Sequence, residues 1–186
     1  MSSTDGEHRL IAAGFGGQGV LTLGKLVCLA AMEEGHVVTY MPAYGSEVRG
    51  GTANCQVVVS SGSIYSPLVE RADSLIVLNQ LSYERFMPRL KPGGLVLVNS
   101  SGVEPEAVET DDDARLVALP AAEKAAEMGD VRVGNVMMLG AFVQAGGPVG
   151  ETSCRRALEQ VFAGAKADLL ELNLEAFEAG LQAAGG

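Results

Sequence analysis

The chain has 186 residues, of which 24 are glycine, 7 proline and 3 cysteine, with no tryptophan. That length buries one sizeable core and argues for a single domain over 1–186 rather than a two-domain enzyme. Thirteen Lys and Arg against 23 Asp and Glu leave a net charge of −10 with no basic cluster, which disfavours non-specific nucleic-acid binding and docking on anionic membranes.

In chain order, Met1 to His8 is polar, with no basic segment followed by an apolar one. Residues 1–7 are expected to fray, with no signal peptide and a cytoplasmic location. Arg9 to Ala13 reads as a strand, Gly14 to Gly19 as a glycine-rich turn and Val20 to Glu34 as a helix. Val20, Leu23, Val27, Ala30 and Ala31 recur along it at helical spacing, and Gly35 stops it. Val20 to Met32 is the longest apolar stretch, but Thr22 and Lys25 interrupt it and it falls short of the roughly 20 residues that span a membrane. His36 to Met41 is a second strand that Pro42 ends, so the opening reads as a βαβ unit with two parallel, neighbouring strands.

Thr52 to Ser60 alternates as a strand, and Ser61 to Ser63 turns the chain so that Ile64 and Tyr65 pair back as a short hairpin strand before Ser66-Pro67. Ser74 to Leu78 and Leu95 to Val98 are continuous apolar runs expected at the centre of the sheet. A short helix at Ser82 to Met87 and a Lys91 to Gly94 turn separate them. The acid-rich stretch Gly102 to Asp113 reads as a solvated loop. A strand at Arg115 to Leu119 precedes helices at Ala121 to Met128, Asn135 to Ala145, Glu151 to Gly164 and Leu169 to Ala183. The order predicts an α/β, Rossmann-like mixed, mostly parallel sheet flanked by helices.

Two loops carry the candidate chemistry. Gly14-Phe15-Gly16-Gly17-Gln18-Gly19 satisfies G-x-G-x-x-G between a strand and a helix. Such a loop turns sharply, exposes N–H groups at a positively polarised helix end and lets a phosphate or another backbone approach. A dinucleotide fold also needs an acid about 20 residues on, at the end of the second strand. Here that strand ends Thr39-Tyr40-Met41-Pro42, and Glu33 and Glu34 come too early, so NAD is disfavoured; tight packing without a ligand stays open. The second loop, Pro42 to Thr52, follows the second strand and should share its rim with the first. In it Tyr44, Glu47 and Arg49 stand among Gly45, Gly50 and Gly51, which suits a ligand or subunit interface. Arg49 can hold a phosphate or carboxylate bidentately, or pair with Glu47.

Other constellations are missing. Cys28, Cys55 and Cys154 lack any metal-ligand spacing and read as buried thiols, so the chain should hold no iron–sulfur cluster or zinc. His8 and His36 have no obvious nucleophile or metal partner, and there is no G-x-x-x-x-G-K-[ST] pattern. Gly24-Lys25-Leu26 reads as helix packing with a snorkelled lysine. No residue is identified as catalytic.

At these residues the sequence resembles the gamma subunit, or gamma domain, of the 2-oxoacid:ferredoxin (acceptor) oxidoreductases. The likeness covers nearly the whole chain. It includes Gly14 to Val20, the P-A-Y-G-x-E-x-R-G-G-T-A-N-C block from Pro42 to Cys55 with Asn54, Ser66-Pro67, the Lys91 to Gly94 turn, and Gly134-Asn135 opening a late helix. The long block is most similar to subunits of 2-oxoglutarate and branched-chain 2-oxoacid enzymes. The resemblance implies a heteromeric enzyme that converts a 2-oxoacid and coenzyme A into acyl-CoA and carbon dioxide, passing electrons to ferredoxin. Thiamine diphosphate and [4Fe-4S] clusters would belong to alpha and beta, or delta, subunits. The chain would be a non-redox subunit, inactive alone and able to form a homodimer when isolated. Carried onto this sequence, Gly14, Gly16, Gly17, Gln18 and Gly19 would approach the phosphate or pantetheine of coenzyme A, and Arg49 would supply charge. A stand-alone nucleotide-binding module and a purely architectural subunit are the alternatives.

Overall fold

The computed structural model describes residues 6–45, 51–104, 113–164 and 167–185. Its strands are β1 (Glu7–Phe15), β2 (Val37–Tyr44), β3 (Thr52–Ser60), β4 (Ala72–Val77), β5 (Leu90–Asn99) and β6 (Arg115–Leu119). The helices are α1 (Val20–Glu33), α2 (Gln80–Phe86), α3 (Ala121–Glu127), α4 (Gly134–Gln144), α5 (Glu151–Phe162) and α6 (Ala167–Ala184), with 3₁₀ turns at Met87–Arg89 and Val131–Val133.

One sheet runs β2-β3-β1-β4-β5-β6. β1, β4, β5 and β6 are mutually parallel, and β3 lies antiparallel between β1 and β2. The expected mixed, mostly parallel sheet is therefore present, but β1 and β2 are not neighbours. β3 takes the place between them because it can be covered on both sides. Cys55, Val57 and Val59 join the cluster under α1, while Val58 joins the cluster on the other face. β2 is left at the edge, where a residue without an N–H is tolerated. Pro42 accordingly does not end β2 but sits within it opposite Cys55, and the strand runs on to Tyr44.

Two further expectations are corrected. Ile64 and Tyr65 form no hairpin strand, because β1 and β2 already occupy both edges of β3. The segment after β3 instead crosses irregularly and is pinned where the Val69 N–H donates to Gln56 Oε1 at 2.7 Å. The Lys91 to Gly94 turn lies inside β5, where pairing with β4 jumps from Ala72 opposite Leu90 to Ser74 opposite Leu95. Gly93, at φ 72°, allows that detour.

The helices are unevenly shared between the faces. α1 and α4 bury Leu23, Leu26, Val27, Met137, Met138 and Phe142 in the larger cluster, with residues of α3, α5 and α6. On the opposite face the short α2 contributes Tyr83 and Phe86 over Ile11, Leu75, Val77, Val96 and Val98. Glu34 ties α5 to the end of α1 by accepting from the Gly150 N–H at 2.6 Å and from the Ser153 hydroxyl. All the parallel strands thus end at one rim, where the glycine loop leaves β1.

Candidate functional site

The glycine loop and the chain after β2 meet on that rim, as their positions after parallel strands require. The Gly16 N–H donates to Gly51 O at 2.9 Å, and the Gly45 N–H to Thr52 O at 2.7 Å. Tyr44 is three-quarters exposed at the end of β2, and Asn54 is buried on β3 between Ala13 and Ala43. Glu47, Arg49 and Gly50 lie outside the described residues.

Within the loop the residues divide by task. A Cβ on Gly14 would come within 2.8 Å of Val20 Cγ2 and 3.1 Å of Leu78 Cβ, so this glycine lets α1 close on β4. Gly19 caps α1 in the left-handed region at φ 75°, and a Cβ there would strike the Asn135 amide, whose Nδ2 donates to Gly19 O at 2.9 Å. Gln18 is a brace. Its Oε1 accepts from the Phe15 N–H at 2.6 Å and from Asn79 Nδ2 at 3.2 Å, and its Nε2 donates to Leu78 O at 3.4 Å. Gly17, at φ 97°, faces open space. It is the tip of the loop, beside Gly16.

Behind the tip, α1 begins with no side-chain cap. The first intrahelical bond runs from the Leu23 N–H to Gly19 O, so the N–H groups of the preceding turn have no partner within the helix. They give this end of α1 a partial positive charge.

Sequence reasoning missed the amides that hold the rim. Asn79 Oδ1 accepts from the Ser82 N–H at 2.9 Å and so caps α2 while its Nδ2 reaches Gln18. Asn99 Nδ2 donates to Leu78 O at 3.3 Å, and its Oδ1 accepts from the Ala122 N–H at 3.2 Å, joining β4, β5 and α3. Asn79 ahead of a short helix was a readable N-cap signal. Asn99 carried none, since nothing local distinguishes it from any strand-end asparagine.

Arg132 was missed as well. It stands in the 3₁₀ turn before α4, gripped by Asp130. Its Nε donates to both carboxylate oxygens at 2.9 Å and its Nη2 to Oδ2 at 2.5 Å, while its own N–H bonds Oδ1 at 2.9 Å. The Arg132 hydrogen bonds hold the Asp130 carboxyl down at about 2. Two cavities open here, both bordered by Gly17, Arg132 and Asn135. A notch of about 90 Å³ reaches towards Gln18, Leu78 and Asn99. A cleft of about 300 Å³ runs between Thr22, Val133, Val161, Phe162, Leu169 and Asn173.

The remaining reactive side chains lie elsewhere. Cys28, Cys55 and Cys154 are buried on α1, β3 and α5, and burial pushes each thiol up to about 12. They stay protonated at neutral pH. His8 Nε2 lies 2.9 Å from Ser74 Oγ with its ring edge-on to Phe142, and burial lowers its pKa. Ser74 is fully buried, so the pair is a core contact. Ser66 borders a polar cavity of about 630 Å³ at the other end of the sheet, with Arg9 and Ser60.

The family description pyruvate ferredoxin/flavodoxin oxidoreductase matches residues 9–183. The chain belongs to that family. Ketoisovalerate oxidoreductase subunit VorA of Methanothermobacter thermautotrophicus is 39% identical over 177 residues, covering 95% of this chain and 36% of the relative. 2-Oxoglutarate synthase subunit KorC of the same organism is 35% identical over 173 residues, covering 90% of each chain. Among solved structures, the 2-oxoglutarate:ferredoxin oxidoreductase from Magnetococcus marinus, with 2-oxoglutarate, coenzyme A and succinyl-CoA bound, aligns at a TM-score of 0.88 and 27% identity. The match covers 97% of this chain and 31% of that one. A keto/oxoacid ferredoxin oxidoreductase gamma subunit from Geobacter sulfurreducens aligns at 0.79 and 28% identity, covering 95% and 98%. The chain thus spans about a third of VorA and of the Magnetococcus chain, and nearly all of KorC and the Geobacter subunit. The fold that the sequence resemblance implied is the fold found.

Proposed function

We propose that this chain is the gamma subunit of a 2-oxoglutarate or branched-chain 2-oxoacid:ferredoxin oxidoreductase, acting as one gamma-type domain on the coenzyme A side of the reaction. The observation that carries the proposal is the end-to-end correspondence with KorC, combined with a glycine loop whose tip and uncapped helix open on two cavities. The whole enzyme converts a 2-oxoacid and coenzyme A into acyl-CoA, carbon dioxide and two electrons for ferredoxin. Thiamine diphosphate and [4Fe-4S] clusters fall to alpha and beta, or delta, subunits, because the three buried thiols here suit neither electron transfer nor cluster binding. Gly16 and Gly17 face the phosphate or pantetheine, Gly14, Gln18 and Gly19 fix the loop, and Arg49 adds charge. Tyr44, Glu47, Gly50, Gly51, Asn54 and Asn135 serve the loop or the interface. Ferredoxin is reached through the complex, and the assembly works in the cytoplasm; among the described residues no helix is long and apolar enough to cross a membrane.

A stand-alone dinucleotide module is disfavoured by the topology. Antiparallel β3 separates β1 from β2, and among the described residues β2 carries no acid that could hold a ribose. A purely architectural role is favoured by one observation, the use of Gln18 and Asn135 as internal braces. Co-expression with alpha and beta chains decides between the readings. A co-purifying complex whose acyl-CoA formation requires this chain supports the proposal. Failure to associate with either chain refutes it, and a complex whose affinity for coenzyme A is indifferent to this chain leaves the architectural role.

A further inference from the structure

We propose that Arg132 is the phosphate-gripping residue of the glycine rim, with Asp130 as its positioning residue, and that the group gripped is a phosphate of a coenzyme A-type thiol. This rests on the function proposed above. Among the described residues, Arg132 is the one Lys or Arg that borders both the notch and the cleft. The notch, at about 90 Å³, is far below the roughly 300–1,000 Å³ that enclose a drug-sized ligand, and the cleft, at about 300 Å³, reaches only the lower end of that range. They take part of a large ligand, and recognition falls on a group held at their shared mouth.

The donor geometry says which group. A guanidinium has five N–H donors in a planar fork. Asp130 engages the Nε–H and one Nη2–H, which leaves one donor on Nη2 and two on Nη1. The free Nη1–Nη2 edge is the bidentate edge that matches two oxygens of a phosphate. Asp130 also bonds the Arg132 backbone N–H, so the guanidinium is locked in a local ring rather than swinging on a free stem. Its side chain is 76% exposed, which leaves that edge open to a ligand. Across Gly17, the uncapped start of α1 supplies backbone N–H groups of the same polarity. Asp130 offsets the arginine's charge, so the selectivity comes from fork geometry rather than net charge. A lysine at 132 would keep the charge and lose the fork.

The test uses the assembled complex of this chain with its alpha and beta partners, with coenzyme A compared against pantetheine, which carries no phosphate. Arg132→Ala is expected to raise the KM and the calorimetric Kd for coenzyme A tenfold or more, with kcat within twofold and the KM for pantetheine unchanged. Arg132→Lys should recover little of the loss, and Asp130→Ala should raise the KM for coenzyme A several-fold. Unchanged coenzyme A affinity in an assembled Arg132→Ala complex overturns the proposal, and so does an equal loss for both thiols. A lower KM in Asp130→Ala overturns the positioning role. A wild-type complex that does not assemble refutes the functional reading itself, a separate outcome visible by size-exclusion chromatography before any variant is made.

Discussion

Gln18 sits where a phosphate contact would be expected, yet its amide is spent on the Phe15 N–H, Asn79 and the Leu78 carbonyl. Removing it takes the acceptor away from the buried Asn79 amide and from the Phe15 N–H, while Leu78 O keeps Asn99, and a buried donor left without a partner costs about 1–3 kcal/mol. Gln18→Ala should therefore lower the unfolding midpoint of the isolated chain, read by urea denaturation. An unchanged midpoint would contradict the bracing role. Gly19 makes the complementary case. At φ 75°, with the Asn135 amide against it, Gly19→Ala combines left-handed strain of about 1–2 kcal/mol with a displaced neighbour. It should melt several degrees lower than wild type in a thermal scan. The loop was legible in the sequence because glycine spacing is a local signal, and Asn135 only through the family resemblance. Their partnerships were not, since Gln18 meets Asn79 across 61 positions and Asn135 meets Gly19 across 116.

Among the elements, helices were read more faithfully than strand neighbours. α1 and α3 to α6 follow from apolar periodicity and stop signals, and each lies within two residues or so of its expected ends. Strand pairing is not a local property. Nothing in His36 to Met41 says which strand lies beside it, and the one clue, Pro42, pointed to a sheet edge rather than to a strand end. The tightest element contact was equally silent. α4 and α6 cross where Gly140 abuts the Phe177 carbonyl and Gly180 the Met137 carbonyl, and neither has room for a Cβ. Gly140→Ala or Gly180→Ala must push the helices apart, and overpacking of this kind costs about 1–3 kcal/mol or more. That corresponds to a fall of several degrees, at roughly 2–4 °C per kcal/mol for a chain this size. Gly164, with open space where a Cβ would go, is the control: Gly164→Ala should leave the melting temperature nearly unchanged.

For the molecule as a whole, among its described residues, three buried thiols, the Tyr40 phenol, one buried imidazole and one capping carboxylate set the pH range of stability. The thiols of Cys28, Cys55 and Cys154 are raised from 9 to about 12 by burial, and Tyr40 from 10 to about 12. A raised acid keeps its proton in the folded state, so its contribution is complete below the unfolded pKa and is lost as pH climbs from about 9 towards 12. His8 is lowered by burial, so the unfolded chain takes up its proton first and stability falls as pH drops below about 6.5. Asp130, held at about 2 by Arg132, adds a loss only as pH falls below the ordinary aspartate range. Urea midpoints measured from pH 4 to 11 should therefore form a plateau between about 6.5 and 9, with the steeper decline on the alkaline side, where three thiols titrate together. Replacing Cys28 and Cys154 with alanine should flatten that alkaline limb while leaving the acid limb in place. An alkaline limb of undiminished slope in the double variant would mean that the thiols are not the groups whose burial sets the upper edge.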